Sequence, residues 1–167
     1  MKFSKLSQLF LVSIIGLVVA TYLTACQLVT IDYVFVAASA GATTGSAGQI
    51  YTYAADAESG ALRTGRAPVS SGGTSPVAMA VTGDYTNLYV ANQGNNSVVH
   101  FAIAANGVLT QKDSVTTSAA PVSLFANAAG TYLYVVSGTT SATLTEYALS
   151  SGTIGSAVST QTLAVPG

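Results

Sequence analysis

The chain has 167 residues, 5 Lys and Arg against 6 Asp and Glu, and a formal net charge of −1. So few cations argue against a nucleic-acid partner, which needs clustered positive charge to neutralise phosphates. The single cysteine excludes an intrachain disulfide and a multi-cysteine metal cluster.

At the N-terminus, Lys2 and Lys5 precede an almost wholly apolar run from Leu9 to Leu23, and Leu23-Thr24-Ala25-Cys26 matches a bacterial lipobox. The expectation is a helical lipoprotein signal peptide over 1–25, a lipid on Cys26 and a short tether over 26–30. An uncleaved anchor is the alternative, because no charge falls between Lys5 and Asp32 and about 20 apolar residues span a bilayer. Either way the remainder is exported to the cell envelope and membrane-tethered. In a two-membrane host, Gln27 rather than an aspartate after the cysteine suggests the outer membrane. Processing after Ala25 leaves Arg63, Arg66 and Lys112 against six carboxylates, on a surface made polar mainly by hydroxyls and amides.

From Asp32 onward the chain repeats. Pro76, Pro121 and Pro166 stand at equal steps of 45 residues, Leu88-Tyr89-Val90 is followed at the same step by Leu133-Tyr134-Val135, and Gly107 by Gly152. Phe101 and Tyr147 lie one residue further apart, a length change that a loop absorbs. An earlier unit carries Tyr33-Val34-Phe35-Val36, then Tyr51-Thr52-Tyr53-Ala54, then Ser59-Gly60-Ala61-Leu62. Its extra residues fall in the Gly/Ala/Ser/Thr-rich tract Ser39–Gly48, which reads as a long flexible strand connection. A period in the forties with several short apolar strands per unit is a β-propeller signature.

Each unit resolves into four strands. In the middle unit they are expected near 76–81, 86–92, 97–103 and 107–115, separated by Gly/Asn/Asp turns. The second strand, from Leu88 to Ala91 and its counterparts, is apolar on both faces, as expected between packed neighbours. The third alternates, with Tyr51, Tyr53, Val99, Phe101, Tyr147 and Leu149 on one face. The other face carries Thr52, His100 and Glu146 and is expected to be at least partly wet. The whole is all-β: a propeller segment of about three blades of four antiparallel strands, with boundaries near 31–72, 73–117 and 118–165. The first blade lacks its innermost strand.

With Pro76-Val77-Ala78-Met79-Ala80-Val81 followed by Leu88-Tyr89-Val90-Ala91-Asn92, the chain resembles the lactonase-like seven-bladed β-propeller family, whose repeats are of YVTN type. The resemblance covers nearly all of 31–167, and the opening resembles lipoprotein members of that family. It implies a propeller fold. For activity it implies either sugar-lactone or muconate-lactone chemistry or an envelope role without catalysis.

The residues that could carry chemistry are few. His100, alone of its kind, is expected as a solvated strand residue rather than a general base, because a base needs a partner and a pocket. Asp84 is expected to serve its own turn, Asp56 and Glu58 to lie in a solvated loop, and Arg63 and Arg66 to sit on the rim. Asn95-Asn96-Ser97 matches a glycosylation sequon of no force in a bacterial lipoprotein. No catalytic, cofactor or metal site is assigned. Cys26 is the one site residue, as the lipid attachment point.

Closure sets the functional expectation. A ring needs four to eight blades, and two blade faces of a shorter arc stay open. Three outcomes are open: the N-terminal part of a longer propeller, which the position of Pro166 favours; self-association through the open faces; or an arc with frayed end blades. The leading reading is a lipid-anchored scaffold that binds a protein or glycan ligand and has no catalysis of its own. The alternative is a fragment of a 6-phosphogluconolactonase-like hydrolase whose site lies in other blades.

Overall fold

The computed structural model describes residues 31–39 and 46–164. The signal segment, the tether with Cys26 and Gln27, most of the Ser39–Gly48 connection and Pro166 lie outside the described residues. Twelve strands form three antiparallel sheets. The first blade holds β1 (Ile31–Ser39), β2 (Ala47–Asp56), β3 (Leu62–Thr64) and β4 (Val69–Thr74). The middle blade holds β5 (Pro76–Val81), β6 (Asn87–Asn92), β7 (Ser97–Ile103) and β8 (Leu109–Thr116). The last holds β9 (Pro121–Ala126), β10 (Tyr132–Ser137), β11 (Ala142–Ser150) and β12 (Thr153–Leu163). The middle and last sheets are simple meanders, β5-β6-β7-β8 and β9-β10-β11-β12.

The first sheet keeps the same plan, with no innermost strand among the described residues. β1 pairs with β2 along its whole length, and β3 and β4 both pair with β2, so they are two pieces of one outer strand. The break falls at Gly65-Arg66-Ala67-Pro68, where a proline without an N–H cannot continue a ladder. β1 therefore corresponds to β6, and among the described residues no innermost strand lies beside it.

Burial follows blade order. One core layer joins the first and middle blades through Ile50, Leu88, Val90, Val99 and Phe101, with Phe35 and Met79 packed against it. A second joins the middle and last blades through Tyr89, Val98, Leu133, Val135, Tyr147 and Leu149. β6 serves both layers, with Leu88, Tyr89, Val90 and Ala91 all fully buried. Burying a side chain of that size contributes about 1.5–3 kcal/mol, which makes β6 the best anchored strand of the molecule.

Two expectations need correction. β1 has an apolar neighbour on one face only: Phe35 packs inward, while Val34 and Val36 remain exposed. The third strand's polar face is not wet. Thr52 and His100 are buried because that face of each blade receives the next blade, and Glu146, on the last blade, keeps partial exposure because no described blade covers it.

Candidate functional site

The densest polar cluster of the described residues lies inside the seam between the middle and last blades, centred on His100. β7 places its imidazole beneath the last blade, stacked on the Tyr89 ring with centroids 5.1 Å apart. Nδ1 lies 2.5 Å from Asp113 Oδ1, and Nε2 lies 2.8 Å from Asn87 Oδ1. Asn87 Nδ2 donates to Thr86 Oγ1, whose hydroxyl donates to Asp84 Oδ2. Both ring nitrogens of His100 thus have a hydrogen-bond partner.

This cluster crosses the seam. The Ile154 N–H donates to Asp113 Oδ2 at 2.8 Å, and the Tyr89 hydroxyl donates to the Gly152 carbonyl at 2.7 Å. Burial pushes the Tyr89 hydroxyl well above the ordinary tyrosine range, reinforced by the Asp113 and Asp84 carboxylates, so it stays a donor. Gly152 is required here. Its φ is +84°, and an added Cβ would collide with the Asn87 amide. Gly107, one repeat earlier at φ +76°, receives the Tyr33 ring in the same way.

A second node pins the first blade to the middle one. Asn92 closes the Leu-Tyr-Val-Ala-Asn run and is fully buried; its Oδ1 accepts from Ser71 Oγ at 2.7 Å, and its Nδ2 donates to the Ser71 carbonyl at 3.0 Å. Asn95 joins it, accepting from the Thr74 N–H and donating to Ser97 Oγ. The sequence reading assigned Asn92 no role. The available signal was an amide ending a strand whose other members are all apolar, since a buried amide must find partners.

Asp84, Arg63 and Arg66 lie as expected, whereas Asp56 ends β2 opposite Ile31 and only Glu58 lies in the following turn. Asp84 accepts from the Thr82 and Thr86 hydroxyls and the Thr86 N–H, and these bonds, Thr82's first, hold its carboxyl below the usual range. Asp56 accepts from the backbone and hydroxyl of Ser59 and the backbone of Glu58, with the same effect. Arg63 is exposed and only 3.9 Å from Asp56, while Arg66 donates to the Asn106 carbonyl on the rim. His100 departs furthest from expectation, being buried and partnered rather than solvated.

Chemically, the cluster can orient and pin, but it offers no base. A general base needs a free lone pair within reach of a substrate proton. Both nitrogens of His100 are engaged and its ring is shut between blades. Open space lies elsewhere. A groove of about 710 Å³ between the first and middle blades is lined by Asp32, Tyr33, Phe35, Val81, Tyr85 and Ile103 among others. A smaller cleft of about 570 Å³ occupies the corresponding place in the next seam, with Asn87 and Leu149 where the first has Tyr33 and Ile103. The recurrence marks both as products of the repeat rather than as one specialised pocket.

The match to known families agrees with this geometry. A family model described as lactonase, 7-bladed beta-propeller, matches residues 66–167. The chain belongs to that family. Among solved structures, this lactonase-family chain is similar to a functionally unknown protein from Desulfotomaculum acetoxidans, at 21% identity and a TM-score of 0.61, covering 80% of this chain and 42% of that one. It is similar to the periplasmic gluconolactonase of Pseudomonas aeruginosa at 17% identity and a TM-score of 0.57, covering 78% and 38%. It is also similar to a candidate 6-phosphogluconolactonase from Bacteroides uniformis at 14% identity and a TM-score of 0.61, covering 78% and 41%. At these identities the likeness concerns the fold alone. The chain spans less than half the length of each of these structures. A search of curated proteins gave no match.

Proposed function

We propose that this lactonase-family chain is a lipid-anchored envelope segment that acts as a binding and interaction scaffold, with no catalysis by its own residues. The observation that carries the reading is the composition of the innermost strands. In a propeller the central channel is walled by those strands, and here Pro76–Val81 and Pro121–Ala126 carry no ionisable side chain. The histidine is committed to the seam, so neither acid nor base faces the channel from the innermost strands of the middle and last blades. Membrane attachment rests on the lipobox around Cys26.

Two measurements test it. The full chain, incubated with glucono-δ-lactone or its phosphorylated analogue in a pH-stat, is expected to give no turnover above buffer; clear turnover overturns the scaffold reading. Metabolic labelling with a radioactive fatty acid is expected to mark the chain and to fail in Cys26→Ala. Labelling that survives that substitution removes the anchor. A second reading, lactone hydrolysis by a longer protein that contains these blades, is favoured by the family match and by the short span relative to the solved structures. It assigns the reacting residues to other blades and leaves these three as wall.

A further inference from the structure

One chain of hydrogen bonds in the later seam has two complete settings, and the charge of His100 selects between them. It runs through Asp113, His100, Asn87, Thr86 and Asp84, from a ring whose side chain is 3% exposed to a solvent-facing turn. No neighbouring repeat can build it. The counterparts of His100 and Asn87 are Thr52 and Tyr33 in the first blade and Glu146 and Tyr132 in the last, as the strand registers align them.

An imidazolium has an N–H on each side, so it needs the Asn87 oxygen at Nε2. The Asn87 NH2 then serves Thr86, and the Thr86 hydroxyl is left to serve Asp84. A neutral imidazole beside a carboxylate keeps its one proton on Nδ1, so Nε2 becomes an acceptor and needs the Asn87 NH2 instead. The two ends of an amide have the same shape, and turning it over displaces no other heavy atom. In that second setting the Asn87 oxygen faces Thr86, takes its hydroxyl proton and withdraws the donor from Asp84. The titratable groups in contact with His100 are Asp113 on β8 and Tyr89 on β6, while Asp84 closes the far end of the chain. From the last blade come the Gly152 carbonyl, the Ile154 N–H and, in the same core layer, Tyr147. Burial holds both tyrosine hydroxyls above their ordinary range, so they stay neutral; Asp84, held low by Thr82 and Thr86, stays ionised.

The turn at the end of the chain is itself a contact between the blades. Gly83 lies so close to the last blade that an added Cβ would stand 2.6 Å from the Ala128 carbonyl oxygen. Asp84, Thr86 and Asn87 also line the cleft of about 570 Å³ in this seam. We propose that His100 is a proton-operated switch for the seam between the middle and last blades. The imidazolium clasps Thr86 to Asp84 by way of Asn87; the neutral ring releases that clasp and loosens the Gly83–Thr86 turn against the last blade. Protons reach the ring through Asp113, whose side chain is 28% exposed, without the seam having to part. The switch operates alike in a scaffold and in a hydrolase.

The test follows the full chain, labelled with carbon-13 and nitrogen-15, by NMR from about pH 8 to about pH 5, the interval in which an imidazole ordinarily changes charge. The His100 ring nitrogens, the Asn87 side-chain amide and the Asp84 carboxyl carbon are expected to shift with one midpoint. Asp84 keeps its charge over that interval, so movement of its carbon reports the Thr86 hydroxyl and not its own titration. Exchange of the Thr86 N–H, which donates to Asp84 Oδ1, is expected to slow about two- to tenfold as the ring gains its proton, once the pH dependence of exchange itself is removed. Thr86→Val cuts the chain at an exposed position and retains the fold, as the backbone amide spectrum will show. In that variant His100 and Asn87 still shift, and the Asp84 carbon no longer follows them. A ring that holds one charge state throughout overturns the proposal. So does an Asp84 carbon that stays still in the unmodified chain, or one that keeps following His100 in Thr86→Val.

Discussion

The two seams of this molecule are built from the same repeat and held by different polar chemistry. Between the middle and last blades, a histidine, an aspartate, an asparagine and a tyrosine meet backbone groups across the gap. Between the first and middle blades, the corresponding position on the third strand is the small Thr52, and the polar pin has moved to the other end of the blade, to Asn92 and Ser71. The apolar layers are alike in size and kind. Repetition therefore conserves burial, and each seam finds its own way to satisfy the polar groups that burial strands.

The comparison can be broken in order of expected effect. Leu133→Ala empties a fully buried site of the later seam and is expected to cost about 2–5 kcal/mol of unfolding free energy. Leu88→Ala, its counterpart in the earlier seam, should fall in the same range; chemical denaturation that separates them by more than that spread means the two apolar layers are not equivalent. Asp113→Ala leaves His100 and the Ile154 N–H without their carboxylate and should cost about 2–4 kcal/mol, moderated by the partial exposure of Asp113. Asn92→Ala strips Ser71 of its partner, at about 1–3 kcal/mol. A double-mutant cycle between these two should be additive, since they belong to different seams, whereas Asp113→Ala with Tyr89→Phe should couple. Additivity in both cycles, or coupling in both, dissolves the distinction between the seams.

The smaller effects follow. Tyr89→Phe removes one hydrogen bond and no volume, for about 0.5–1.5 kcal/mol. The acid limb is last. The Asp84 carboxyl is held below its ordinary value of 3.8, so its contribution is complete above that pH and is lost as pH falls through the lower folded value. Asp84→Asn should therefore flatten the loss of stability below about pH 4. An unchanged acid slope places the sensitivity elsewhere.

Much of this was legible in the chain. The prolines at 76 and 121 open innermost strands as the period predicts, and β5 and β7 span the expected residues. Gly107 and Gly152 both adopt positive φ. His100 was misread because alternation along a strand reveals which residues share a face, not what covers that face. Thr52, His100 and Glu146 do share one, and of the three only Glu146 is not covered by a described blade. Asn92 was overlooked for the opposite reason. As the last letter of a repeat motif it was read as the end of the strand and given no partner, and that partner, Ser71, lies in β4, a short piece of an outer strand broken at Pro68 and poorly marked by pattern. The first blade was expected to lack its innermost strand, and none lies beside β1 among the described residues; the exposure of Val77 and Val81 on β5 is read from the structure alone.

Tyr33 over Gly107 and Asn87 over Gly152 act as pegs in holes left by a missing methyl. A repeat that stacks by pegs fixes not only contact but angle: each blade can swing toward its predecessor until the peg meets backbone, and no further. Each seam is thus pegged at a turn before an outer strand, where glycine leaves the room that a Cβ would fill. Alanine at either glycine would act as a shim, splaying one seam and enlarging the circle on which any further blades must close.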